Sequence, residues 1–131
     1  MDLKIKLLQL PEGENFLVVI AHGLIDSEGL DQILRKIAAT TQSLLECKVL
    51  IDLEEASLEL QSPVIRRLVN RIEPDLRRRH LKFALVSSAE VDEGPRVLGD
   101  SLSKLGLTAA VFVDIKHAAV WLSDASRRRK L

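Results

Sequence analysis

The sequence predicts an α/β domain with a mixed five-stranded sheet and about four helices, on three observations. Short apolar runs alternate along the chain with stretches whose apolar residues recur every three or four positions. The turn-rich link Pro11-Glu12-Gly13-Glu14-Asn15 joins the first two apolar runs, as an antiparallel hairpin requires. Each later apolar run is separated from the next by a helix-like stretch, so right-handed crossovers make those strands parallel. The predicted order is ββαβαβαβα.

Leu3–Leu10 sets Leu3, Ile5 and Leu7 against Lys4 and Lys6, the alternation of a half-buried strand suited to a sheet edge. Phe16–Ala21 is the second strand, ended by Gly23. Asp26 or Ser27 caps a helix running to about Leu45, with Leu30, Ile33, Leu34 and Ile37 as its apolar stripe. Lys48–Leu53 is almost wholly apolar, as expected of a strand covered on both faces. The helix after Pro63 turns Val64, Ile65, Leu68, Val69 and Ile72 inward and Arg66, Arg67, Asn70 and Arg71 outward. Pro74 interrupts it, and a short helical turn through Leu76 and Leu81 follows. Phe83–Val86 is the fourth strand. Gly94-Pro95 opens a helix with Val97, Leu98, Leu102 and Leu105 inside, ended by Gly106. Ala109–Val113 is the fifth strand, and Asp114 caps a last helix carrying Ala118, Trp121 and Leu122. Residues 1–126 read as a single domain, and 127–131 as a basic C-terminal tail that frays.

Composition narrows the function. At 131 residues, 47% apolar and 29% charged, the chain can bury about two-thirds of its unfolded surface around one core. Nineteen basic and nineteen acidic residues cancel, so nothing draws the whole molecule to nucleic acid or anionic lipid. Three Phe, one Trp and no Tyr supply no stacking platform for single-stranded nucleic acid. No apolar run approaches the roughly 18 residues of an integral membrane segment. The N-terminus has no signal-peptide core, and a cytoplasmic location is expected. The single cysteine, Cys47, forbids an intrachain disulfide and precedes an apolar strand, where a thiol is inert.

Val49–Val69, VLIDLEEASLELQSPVIRRLV, is the most informative stretch. A strand runs into Asp52, an acidic and serine-bearing loop follows, and Ser62-Pro63 opens a helix. Serine before proline is a helix-start signal, since the hydroxyl accepts from the first turn and proline loses no helical bond. The same hydroxyl stands at the positive end of a helix dipole, where phosphate is favoured. Two readings of Ser62 therefore stand, a helix cap and a phosphate switch.

Catalytic patterns are weak. His22, His80 and His117 have no metal-ligand spacing and no serine nucleophile motif beside them. Glu54-Glu55 and Asp92-Glu93 lie in polar loops rather than a cleft, and both glycine-rich phosphate loops are absent. No metal, cofactor or enzymatic activity is expected. A cationic run, Arg66, Arg67, Arg71, Arg77, Arg78, Arg79, His80 and Lys82, is either the solvated face of a helix or a surface for phosphate, an acidic partner or a lipid headgroup.

Several segments together resemble the STAS domain family, whose best-known members are bacterial anti-sigma-factor antagonists. Gly23-Leu24-Ile25-Asp26 is similar to the family's Gly-x-Leu-Asp opening of its first helix. Val49–Leu53 with Ala56-Ser57 is similar to the strand and loop before its phosphorylatable serine. Gly106-Leu107 before the fifth strand also fits. Lys116-His117-Ala118-Ala119-Val120-Trp121-Leu122 is closest to the SpoIIAA-like branch, which is grouped with Sec14-type lipid-binding domains. The resemblance spans Ile5 to Ser123 and rests on the order of motifs. It implies a mixed sheet, no catalysis, and work through a protein partner (a regulator or kinase-like protein) or a small apolar ligand.

The phosphoacceptor motif departs from that pattern. Where antagonists carry Asp-Ser-Ser/Thr-Gly, this chain reads Leu60-Gln61-Ser62-Pro63. An ungapped reading from Asp52 sets Gln61 at the acceptor position and Ser62 one place later. Ser62 is the phosphoacceptor candidate, and Asp26, Asp52, Ser57, Gln61, Arg66 and Arg67 are the partner- or ligand-binding candidates. A lipid would need a cleft between the Pro63–Ile72 and Gly94–Gly106 helices, with arginines at its mouth. An enzyme would need His22 within reach of Asp26 or Asp52. Monomer and homodimer both remain open.

Overall fold

The structure is a computed structural model that describes residues 1–9, 13–77, 80–88 and 93–129, with side chains for all of these but 77 and 124–129. The chain forms β1 (Asp2–Gln9), β2 (Asn15–Ile25), α1 (Ser27–Thr40), β3 (Glu46–Leu58), α2 (Ser62–Arg77), β4 (His80–Val86), α3 (Glu93–Lys104), β5 (Thr108–Phe112) and α4 (Ile115–Arg129). The five strands lie in one sheet in sequence order. β1 is antiparallel to β2 and the later pairs are parallel, so the expected architecture is the observed one.

Because β2 to β5 step across the sheet in one direction, right-handed crossovers put α1, α2 and α3 on a single face. Their buried residues, among them Leu30, Ile33, Ile65, Val69, Leu98 and Leu102, close a core against Val19, Ile51, Phe83 and Leu85. The helix α4 follows the last strand and folds onto the opposite face over β3, β4 and β5. Ala118 and Leu122 meet Ala84 and Val86 there, flanked by Phe112 and Trp121. The expected apolar stripe of α1 is buried, and Arg66, Arg67, Asn70 and Arg71 of α2 are exposed.

Some boundaries differ from those expected, each for a local reason. The helix α1 stops at Thr40 instead of near Leu45, where the Gln42 N–H turns to the Ala39 carbonyl at 3.4 Å and the Leu44 N–H to the Thr41 carbonyl at 3.0 Å. Pro74 does not break α2, which passes through it to Arg77. Pro74 and Asn70, whose carbonyl loses its partner, both face solvent, while buried Ile72 and Leu76 hold the last turn to the core. Leu81 belongs to β4, which begins at His80 with its N–H donating to the Leu45 carbonyl at 2.9 Å. β1 and β5 each start one residue earlier than expected, and Leu10 lies outside the described residues. The helix α4 reaches Arg129, so the first residues of the expected tail are helical; 130 and 131 are outside the described residues.

The larger correction concerns the ends of β2 and β3. Gly23 does not end β2, which continues to Ile25, and the expected loop after Leu53 is strand as far as Leu58. Gly23 sits at φ +89°, a value that favours glycine over any side chain inside a strand. The ladder pairs Ile20 with Asp52 and next His22 with Glu55, so β3 carries one extra residue, a β-bulge. That residue resets the alternation. Ile51 and Leu53 face the helices before the bulge, and Ala56 and Leu58 face them after it. Asp52 Oδ1 accepts the Glu54 backbone N–H at 3.0 Å and satisfies a donor at the irregularity.

The start of α3 packs onto the end of this extension. A Cβ at Gly94 would meet the Leu58 carbonyl oxygen at 2.1 Å, so only glycine permits the approach. Gly94→Ala is expected to lower stability by about 1–3 kcal/mol through overpacking, read as a lower urea midpoint with an unchanged slope.

Candidate functional site

The site begins where the sheet narrows. β4 pairs with β3 only as far as Asp52 and Val86. Beyond that level β2 and β3 continue together as a two-stranded ribbon, His22–Ile25 against Glu55–Leu58. Ile25 and Leu58 turn into the core at its end, while Leu24 is 59% exposed opposite Ser57. Both strands then feed helices. Asp26 caps α1, its Oδ1 accepting the Gly29 N–H at 2.8 Å, as expected of one of the two cap candidates.

At α2 the cap lies one residue earlier than expected. The Gln61 carbonyl accepts the Val64 and Ile65 N–H groups at 3.0 and 3.2 Å, so Gln61 occupies the cap position and Ser62 is the first helical residue. Pro63 has no N–H, and the Val64 N–H is turned onto Gln61. This helix start therefore presents an anion with fewer free donors than an ordinary one. The Ser62 hydroxyl has no hydrogen bond to a described residue and is half-buried. Arg66, one turn along on the same side, is exposed. Arg67 is exposed beside it.

The structure thus gathers Asp26, Ser57, Gln61, Ser62 and Arg66 around one end of the molecule. The Ser57 hydroxyl donates to Glu59 Oε1 at 3.0 Å. Asp52 stands apart. It lies before the bulge, level with Ile20 and Val86, and its carboxylate is engaged by Glu54. The sequence did not single out Leu24, because its exposure depends on the ribbon running past the sheet.

The remaining candidates fall elsewhere. His22 makes no hydrogen bond to Asp26 or Asp52 among the described residues and lies level with Asp2 and Glu55. The cationic run divides. Arg66, Arg67 and Arg71 lie on the outer face of α2, whereas Lys82 is buried on the opposite face of the sheet. Its Nζ donates to the Trp121 carbonyl at 2.8 Å and sits 4.0 Å from the Trp121 ring centroid. His80 is exposed; the side chain of Arg77, and Arg78 and Arg79, are outside the described part. Burial pushes the Cys47 thiol up to about 11, against a weaker lowering by the Leu17 backbone.

The seam between α2 and α3 is packed by Ile65, Leu68, Leu98 and Leu102 in one buried cluster. Among the described residues a concavity of about 560 Å³ lies between the end of α1 and α2, lined by Arg35, Gln42, Leu45, Ile72 and Asp75. Among the described residues no group of three or more His, Cys, Asp or Glu is placed to hold a metal ion, and no helix is long and apolar enough to cross a membrane. No protein-family model matches the chain, and no curated protein matches it.

Carboxylates gather at the bulge. Glu54 is held above the usual carboxylate range by partial desolvation, then by the charge of Asp52 and its hydrogen bond, and by Glu55 and Asp114. Asp114 is held low instead. It accepts the His117 backbone N–H at 2.8 Å and the His117 ring Nδ1–H at 2.7 Å, capping α4 as expected. The two shifts have opposite signs in stability. A raised Glu54 is ionised at a cost near neutral pH, and the cost vanishes once acid protonates it in both states. Glu54→Gln is expected to raise the melting temperature at pH 7, with the difference from the native chain closing as pH falls through the carboxylate range. Thermal melts across a pH series measure it.

Proposed function

We propose that this chain is a non-catalytic regulatory module of the STAS and SpoIIAA-like kind, working through a protein partner that docks on the ribbon end and the start of α2. The carrying observation is Leu24, 59% exposed at the tip of the ribbon opposite half-buried Ser57, at the same end of the fold as the start of α2 with Ser62 and Arg66. The sheet order and the placement of three helices on one face are consistent with that fold. An exposed aliphatic side chain opposite Ser57, at the end of the fold where Gln61 and Arg66 are exposed, offers an apolar anchor with polar groups at the same end.

Ser62 is the regulated group in this reading. Phosphorylation adds close to two negative charges within a helical turn of Arg66. The phosphate draws the Arg66 guanidinium away from an acidic partner and onto itself. A regulator or kinase-like protein is the partner class that the reading names, inside the cell.

Affinity capture from the cells that make the protein tests it, with Leu24→Asp and Ser62→Asp compared with the native chain and intact mass read on the purified protein. Leu24→Asp is expected to lose the captured partner, and Ser62→Asp to change its recovery by roughly tenfold. The same partner recovered equally by all three proteins, with Ser62 always unmodified, overturns the reading.

A further inference from the structure

The outer face of α2 carries charge of one sign. Residues 61–72 hold Arg66, Arg67 and Arg71 and no carboxylate, in a chain whose total charge is zero. All three arginines are exposed, and none makes an ion pair with a described residue. Arg67 and Arg71 stand four positions apart and repel each other along the helix, with no acid in the first turn to offset them. The helix α1 shows the contrary arrangement, Asp31 and Arg35 pairing at 2.7 Å over the same spacing. The apolar residues of α2, among them Ile65, Leu68, Val69 and Ile72, are buried on its other side. Its outer face therefore offers guanidinium groups and Asn70. We propose, resting on the reading that a partner docks at the start of α2, that this face binds an acidic stretch of that partner, with its carboxylates on Arg67 and Arg71.

Spacing and chemistry select that occupant. The helix rises about 6 Å between Arg67 and Arg71. Carboxylates two positions apart on an extended segment are about 6.7 Å apart, so each meets one guanidinium. The planar fork of arginine takes a carboxylate through two parallel hydrogen bonds, and Arg66 carries the stripe back toward Ser62, one turn away. Nucleic acid fits less well, because the stripe spans under two turns and holds no aromatic side chain on which a base could stack. A bilayer fits less well too, because none of the large exposed hydrophobic residues belongs to α2.

Titration of the full chain with a decapeptide of alternating glutamate and alanine, followed by nuclear magnetic resonance, tests the proposal. The same peptide with glutamine for glutamate, a short oligothymidine, and co-sedimentation with phosphatidylserine vesicles serve as comparisons. The acidic peptide is expected to shift amides along Arg66–Arg71 with a Kd of ~0.1–1 mM at low ionic strength, weakening roughly tenfold at physiological salt. The glutamine peptide is expected to bind at least roughly tenfold more weakly. Arg67→Glu sets a carboxylate four residues before Arg71, a pairing that favours the helix. This variant is expected to melt no lower than the native chain while losing the peptide, which separates lost binding from lost folding. A peptide that leaves α2 unshifted at several millimolar overturns the proposal. So does equal binding of the glutamine peptide, binding that survives Arg67→Glu, or tighter association with oligothymidine or vesicles. Partner capture separates the two readings. A partner lost with Leu24→Asp but kept by Arg67→Glu and Arg71→Glu refutes the acidic stretch alone, and one kept by Leu24→Asp but lost with Arg67→Glu refutes the Leu24 anchor alone.

Discussion

The handedness of the crossover connection is the constraint on which the rest depends. Four strands laid side by side in sequence order, each reached from the last by a right-handed turn, force the intervening helices onto one face. That face becomes a continuous core, with side chains from β2, β3 and β4 under three helices. The other face receives only α4 and a smaller cluster around Ala84 and Val86. One side of the sheet is thereby fully covered and the other only in part. The half-buried Phe16, Val18 and Ile20 of β2 follow from this uneven cover.

Within that frame the bulge in β3 decides what the ribbon end can present. One extra residue between Asp52 and Glu55 flips the alternation, so Ala56 and Leu58 meet the helices where unbroken pairing would turn them outward. Leu58 then supplies the surface on which α3 begins, at a glycine that no larger residue can replace without a clash. Asp52, a candidate for binding from the sequence, accepts the Glu54 N–H at the irregularity. Position in a motif and position in the fold part company at that residue.

Lys82 shows a similar division on the other face. In sequence it closes a cationic run and reads as surface charge. In the fold it lies within β4 under α4, with its ammonium over the Trp121 ring and bonded to the carbonyl of the same residue. A cation so placed joins helix to sheet, since its donors meet a helix carbonyl and its charge meets an aromatic face. Strand alternation alone would have set Lys82 beside Ala84 and Val86. Its partner Trp121 stands thirty-nine positions away, beyond any local pattern.

The sequence by itself determined the element order, the mixed sheet, the apolar stripes of the helices, the cap at Asp114 and, to within one residue, the cap at Asp26 or Ser27. Each of these is set by residues within a few positions of one another, through periodicity, turn chemistry and first-turn hydrogen bonds. Ser62 and Gln61 were placed to within one residue for the same reason. Only the tertiary structure decided how far β2 and β3 run past the sheet, where the alternation resets, that Pro74 is carried through α2, and which face each charged residue serves. Those outcomes depend on contacts between distant segments, such as Leu58 with Gly94, or Lys82 with Trp121. No pattern of neighbouring residues encodes them.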